Sequence, residues 1–196
     1  MIESAKMSLT DLLKKKVFQN NSDENKGLKE LTNLFKIKNY SRKELLVLAG
    51  ERWENVYFIN NGSIRLFYTD IEGREFNKGF FSEGDLVWPV APSARKKESL
   101  FSIAALEDTI VSQCKFCDFY SLLMKLNLWE KFALPYAEKF SEDKFQREYE
   151  FLMLSATERY KKFCKDHPKL KDRIPDYQLA TYLGITNVSL SRIKNR

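Results

Sequence analysis

The sequence predicts an α+β chain in three parts. An N-terminal helix and an antiparallel β-roll or jelly roll fill residues 1–120, a long connecting helix 121–154, and a small helical domain 155–196. Three observations predict this. Residues 44–118 break into short apolar runs at intervals of about ten residues with glycine turns between them, as in a small antiparallel sandwich or barrel. Beyond Phe119 the apolar positions return to helical spacing. The last twenty-one residues, DYQLATYLGITNVSLSRIKNR, read as two short helices around one glycine.

The elements follow in order. In the first forty residues Met7, Leu9, Leu12, Leu13 and Val17 recur near helical spacing until the polar run Asn20–Lys26 interrupts them. LLVLAG ends in a glycine turn. Asn61-Gly62 stands between the strand-like runs NVYFIN and SIRLFYTD, a strong two-residue hairpin signal. Asp70–Gly73 separates that strand from REFNKGFF, and Ser82–Asp85 precedes LVWPV. SLFSIAAL and TIVSQCKF are divided by Glu107-Asp108. Pro135 starts or kinks a helix running through YAEKFSEDKFQREYEFLMLSATERYKKF. Within it Phe145, Tyr149, Leu152 and Ala156 fit alternating heptad core positions, a stripe able to zip two copies of the chain together.

Composition excludes several classes. An apolar content of 43% supplies one good core or two modest ones, and 15 Phe with 9 Tyr exceed what the C-terminal domain could use, so most core lies in the N-terminal part. The start, MIESAKMSLTDLLKKK, lacks a basic leader followed by an apolar run, and no apolar stretch approaches the ~18 residues of a membrane span. With three cysteines, too few for a disulfide framework, the expectation is a cytoplasmic protein with no membrane segment.

A single histidine, with no nucleophile elbow, phosphate-cradling loop or metal-ligand cluster, indicates no enzyme, no metal and no cofactor. The carboxylates Glu51, Glu54, Glu72, Glu75, Glu83 and Asp85 sit in or beside turns and read as strand-end polar residues. Cys114 and Cys117 have C-x-x-C spacing, but on a strand they would face opposite ways, so they read as two small buried hydrophobes. His167, beside Pro168 in an expected loop, reads first as exposed, with haem ligation and capping as alternatives.

The C-terminal segment carries the functional signal. Ala180 is the small residue at a close helix crossing, and Gly184 supplies a turn of positive φ. Leu179, Leu183, Ile185, Leu190 and Ile193 bury the inner faces, and Thr186 is placed to N-cap the second helix. Asn187, Val188, Ser189, Ser191, Arg192 and Lys194 then face outward, with no acid among them. Residues 155–196 hold ten basic and four acidic side chains, a surplus equal to the net +6 of the whole chain. A basic module on a neutral one is the electrostatic footprint of a DNA reader. In a DNA-binding helix-turn-helix the second helix enters the major groove.

Helix, β-roll with glycine turns, long helix and helix-turn-helix, in that order, resemble the Crp/Fnr family of transcription regulators. The likeness is carried by YFINNGSIRLFYTDIEGRE, FSEGDL, SATERYKKF and RIPDYQLATYLGITNVSLSRIK. It implies a homodimer whose roll accepts a signal and repositions two recognition helices, about 34 Å apart, on a two-fold-symmetric operator. By position in the motif, it implies that Asn187, Val188 and Arg192 read base edges and that Thr186 and Ser189 hold phosphates. Ser191 shares that face, and Lys194 and Arg196 add salt-sensitive phosphate affinity. The implied partners are double-stranded DNA, a second copy of the chain, RNA polymerase and an unidentified small-molecule effector.

The chain departs from the family in three places. After Asp85 come Leu86, Val87 and Trp88 where cyclic-nucleotide-binding members carry a Gly-Glu pair. Ser99, Leu100 and Phe101 stand near the expected arginine, so cyclic AMP is not the expected ligand. Trp88, Arg95, Lys96 and Lys97 are the candidate effector site, with a solvated surface loop as the alternative. Only Asn195 and Arg196 follow Lys194 in this sequence, so the expectation is a shortened variant without a C-terminal wing. The other reading is a ligand-binding or protein-interaction module with a degenerate helix-turn-helix. Salt-dependent binding to duplex DNA separates the two.

Overall fold

The computed structural model describes residues 7–18 and 24–195. Helix α1 (Leu9–Leu13) opens on a capping box, in which Ser8 accepts from the Asp11 N–H and the Asp11 carboxylate accepts from the Ser8 N–H. A π-helical turn, Lys14–Phe18, continues it. Of the polar run Asn20–Lys26, residues 20–23 lie outside the described residues; its remainder opens α2 (Glu24–Asn33).

Eight strands follow: β1 (Lys36–Tyr40), β2 (Leu45–Val47), β3 (Asn55–Asn61), β4 (Ser63–Thr69), β5 (Glu75–Ser82), β6 (Leu86–Val87), β7 (Ser102–Ala105) and β8 (Thr109–Lys115). They form two antiparallel four-stranded sheets, ordered β1-β8-β3-β6 and β2-β7-β4-β5. The expected antiparallel roll is present. β1 went unread because it is an edge strand with four exposed residues, its Ile37 75% exposed among lysines.

The Asn61-Gly62 hairpin is corrected. β3 pairs with β6 and β8, while β4 pairs with β5 and β7, so the two runs lie in different sheets. Gly62, at φ +91°, turns the chain from one sheet to the other beneath the β7–β8 connection. A Cβ there would stand 2.6 Å from Thr109 Oγ1 and 2.8 Å from the Asp108 carbonyl oxygen. Close approach, and not hairpin geometry, demands the glycine. The Asp70–Gly73 turn does close a hairpin, with Thr69 opposite Glu75.

The continuous apolar run VYFI in β3 is explained by burial on both faces. Tyr57 and Ile59 join Ile64, Ile103 and Val111 inside the roll. Val56 and Phe58 face outward, where α1, α2, α4 (Phe116–Lys125) and the first turns of α5 (Trp129–Met153) cover them with Leu13, Leu31, Phe119 and Phe132. Each such fully buried side chain contributes about 2 kcal/mol.

Three helical expectations change. The helical pattern begins at Phe116, so a boundary at residue 120 falls within α4. Pro135 does not start α5, which begins six residues earlier at Trp129; it stands inside the helix, which leaves the kink reading in place. The helix also stops at Met153: Leu154 is extended (φ −97°, ψ 141°), and Ser155 opens α6 (Ala156–Asp166) with a capping box to Glu158. Ser155 satisfies orphan N–H groups that a continuous helix would not have, so the chain restarts there. Ala156 therefore lies on α6, outside the heptad frame of Phe145, Tyr149 and Leu152.

Candidate functional site

The C-terminal helices are α7 (Asp176–Leu183) and α8 (Asn187–Lys194). Gly184 joins them at φ 67°, ψ 35°, and its N–H reaches back to the Ala180 and Thr181 carbonyls. A Cβ on Gly184 would come within 2.6 Å of the Phe151 ring on α5, so the turn is seated directly on the long helix. Ala180, Leu183 and Leu190 are buried between the two helices and α6. Thr186 caps α8, accepting from the Ser189 N–H at 3.1 Å.

The candidate DNA-facing residues fall as follows. Asn187, Val188, Ser191 and Arg192 are exposed along one side of α8, Thr186 is exposed at its start, and Ser189 is half-buried within 2.9 Å of the Thr186 hydroxyl. Lys194 is exposed but paired with Asp176 at 2.8 Å, which removes part of its charge from that face. Arg196 lies outside the described residues.

The C-terminal helices share a core with the roll. Phe80 of β5 and Leu106 pack with Phe163, Leu170, Ile174, Leu179 and Leu183. Asn77, a buried polar residue in β5, donates to the Gln178 carbonyl (3.0 Å) and the Thr181 hydroxyl (2.8 Å) of α7. Arg173 donates to Glu83 at 2.9 and 3.0 Å and also bonds Glu107. Burial alone would push the Glu83 carboxyl up; bonds from Arg173, its own N–H and the Gly62 N–H overcome this and hold it down at about 2.

On the other side, Arg159 donates to the Leu183 and Leu154 carbonyls, and Arg147 of α5 to the Tyr182 carbonyl at 2.9 Å. Sequence reasoning missed Asn77, Arg147, Arg159 and Arg173. The only hint was a polar Asn77-Lys78 pair inside a strand-like run.

The remaining candidates are placed without gathering into one pocket. Phe145, Tyr149 and Leu152 are 68%, 49% and 74% exposed on α5, and Met153 beside them is exposed as well. Trp88 is buried among Phe116, Trp129, Phe132 and Tyr136. Arg95 lies on a short helix, α3 (Pro92–Lys96), and not in a loop. It caps the Pro89 carbonyl at 2.9 Å and stacks on Trp88 and Trp129, while Lys96 and Lys97 face solvent. Trp88 and Arg95 are thus occupied in packing.

Cys117 is on α4 and exposed, not in a strand and not buried, whereas Cys114 is buried in β8. His167 ends α6, half-buried against Phe163 at 4.8 Å, and burial lowers its pKa. Four of the turn carboxylates serve ion pairs: Glu54 with Lys115, Glu72 with Arg74, Glu75 with Arg65, and Glu83 with Arg173. No helix among the described residues is long and apolar enough to cross a membrane.

Residues 37–125 match the family model of the cyclic nucleotide-binding domain. No curated protein matches the chain. Among solved structures it is similar to FixK2 from Bradyrhizobium japonicum (20% identity, 82% of this chain and 83% of that one, TM-score 0.64). It is also similar to the c-di-GMP-responsive global regulator CLP of Xanthomonas campestris (14% identity, 87% and 89%, TM-score 0.64). A mutant of CooA from Carboxydothermus hydrogenoformans matches over 97% of this chain and 86% of its own, at 19% identity and a TM-score of 0.64.

Proposed function

We propose that this chain, a Crp/Fnr-type regulator fold whose residues 37–125 are a cyclic nucleotide-binding domain, reads DNA sequence through α8 as a homodimer. The fold supports a regulatory role. One observation carries the DNA reading: the exposed side of a capped, eight-residue helix that follows a glycine turn presents Asn187, Val188, Ser191 and Arg192 without an acidic neighbour. Arg192 has the fork to bond a guanine edge, Asn187 the amide for adenine, and Val188 an apolar surface for a thymine methyl. Thr186 and Ser189 offer hydroxyls to the adjoining phosphates.

The roll serves as the control element in this reading. β5 holds α7 through Asn77, and the turn before β6 holds the α6–α7 connection through Glu83 and Arg173, so movement in the roll is transmitted to the base of α8. The exposed apolar side of α5 pairs two chains and sets the distance between their recognition helices. Cyclic AMP fits poorly as the signal, since Leu100, near the position of the family's phosphate-binding arginine, is 81% exposed to solvent and brings no charge.

The test is selection from a random duplex library, followed by binding to the enriched site at two salt concentrations. A two-fold-symmetric site whose affinity falls steeply with salt is the expected outcome. No enrichment, with or without a metabolite extract, would leave the protein-interaction reading in its place.

A further inference from the structure

The outward face of the sheet β2-β7-β4-β5 carries a furrow of about 490 Å³. Its floor is β7, where alternation turns Ile103 and Ala105 into the roll and leaves the small residues Ser102 and Ala104 on the outside. The neighbouring strands supply larger side chains. Ala104 stands in register between Leu45 and Arg65, and Ser102 stands opposite Phe67. Leu45 and Leu48 line the β2 side, 43% and 45% exposed, and Tyr177 of α7 borders the furrow at 52%. Three large apolar side chains are thus left half in water around one cleft, whose size falls within the roughly 300–1,000 Å³ of small-molecule sites.

The polar groups of the lining are not equally satisfied. Arg65 is buried, with its guanidinium 3.7 Å from the centre of the Phe67 ring, and it donates to Glu75 at 2.7 Å and to Asn77 at 3.2 Å. Its charge is matched by Glu75. Lys43 is exposed and has no ion pair among the described residues, so the lining carries one unmatched positive charge. Gln178 is 6% exposed; its amide N–H donates to the Tyr177 hydroxyl at 3.2 Å, while its Oε1 has no hydrogen-bond partner. A buried acceptor left unpaired keeps its desolvation cost, and a donor brought to it recovers that cost. The oxygen is closed to bulk water, so a group inserted at the α7 end of the furrow is what can pair it.

We propose that this furrow binds a small apolar carboxylic acid that also carries an N–H donor. The carboxylate answers Lys43, the N–H answers Gln178 Oε1, and the apolar body covers Leu45, Leu48 and the Tyr177 ring. One unmatched cation calls for a monoanion; a diphosphate would bring more charge than the lining meets and set it against Glu75. Tyr177 and Gln178 belong to the first turn of α7, so an occupant touches the helix-turn-helix from outside the roll. The site lies on the outer side of the sheet, apart from the interior of the roll and from the basic segment Arg95–Lys97. The proposal goes beyond the DNA reading and stands whether or not α8 binds DNA.

Calorimetric titration of the full chain with indole-3-acetate and with N-acetylphenylalanine, at fixed pH and ionic strength and without DNA, tests it. Saturable binding of at least one acid at one site per chain is expected, with the primary amide of that acid about tenfold weaker. Lys43 has a left-handed backbone (φ 72°) that asparagine tolerates. Lys43→Asn should therefore keep the fold and weaken binding about tenfold, while Lys97→Asn should leave it unchanged. Gln178→Leu removes the stranded oxygen, so it should melt no lower than wild type and yet bind about fivefold more weakly. Failure of both acids to saturate up to about 10 mM, or an equal loss in Lys97→Asn, overturns the site. Gln178→Leu that melts lower than wild type and binds as tightly overturns the N–H requirement. Tighter binding of pyrophosphate or cyclic AMP than of either acid overturns the carboxylate assignment.

Discussion

Arg173 and Glu83, ninety positions apart in sequence, form a two-pronged ion pair at 2.9 and 3.0 Å. The pair ties the segment before α7 to the turn before β6, and Glu107, whose carboxylate also accepts from the Ser63 hydroxyl at 2.6 Å, completes the clasp. Both partners are largely withdrawn from solvent, with side chains 27% and 13% exposed. Removing the guanidinium therefore strands a carboxylate that the fold keeps ionised. Arg173→Ala should cost about 2 kcal/mol of unfolding free energy and speed amide exchange in α7 and α8 beyond that in β3. Uniform exchange across the chain would mean that the clasp does not hold the C-terminal helices to the roll.

The same pair sets an acid dependence. Glu83 titrates at about 2 in the folded chain against an ordinary value of 4.5. A lowered carboxyl contributes stability that is fully present above 4.5 and lost as pH falls from there towards 2. Denaturant unfolding between pH 6 and pH 3 should show the gap between wild type and Arg173→Ala narrowing below about 4.5. A constant gap would assign the stabilisation to something other than the charge pair.

How far the sequence could be read depended on whether a signal was local. Gly184, Thr186 and Ala180 announce the two terminal helices because a turn, a cap and a crossing each constrain one residue type at one position. Short apolar runs at intervals of about ten residues, with glycine turns between them, likewise disclosed the roll. Gly62 misled because an Asn-Gly pair looks the same whether it closes a hairpin or crosses between sheets; the difference is Thr109, forty-seven positions away. The Ser155–Glu158 capping box was legible in SATE, yet the heptad frame was carried through it into Ala156. Asn77 and Arg173 meet their partners only through tertiary packing, so no spacing in the chain pointed to them.

Arg192 and Lys194 should separate specificity from electrostatics. Arg192 is exposed and has no ion-pair partner among the described residues, whereas Lys194 is held by Asp176. Arg192→Ala should cost about 1–3 kcal/mol at a selected operator and relax preference at one base pair. Lys194→Ala should lower the salt slope by less than the ~0.9 expected for a free phosphate contact, because its charge is already shared. Equal affinity of Arg192→Ala and wild type across operator variants would remove Arg192 from base reading.

The exposed apolar side of α5 makes the last prediction. Phe145 and Leu152 are seven residues apart, and Tyr149 lies between them, so all three share one side of the helix over two turns. Their exposure in a single chain, together with that of Met153, is more apolar surface than a lone helix ordinarily leaves to water. None of the three belongs to the buried cores, so replacing one should leave the fold of a single chain intact. Leu152→Glu would set two carboxylates against each other across a two-fold axis and forfeit about 2 kcal/mol of burial per leucine. Sedimentation equilibrium should find wild type dimeric and Leu152→Glu monomeric, with equal helix content by circular dichroism. A wild-type chain that sediments as a monomer, or a Leu152→Glu chain that remains a dimer, would move the pairing surface away from α5. The spacing of the two recognition helices would then need another origin.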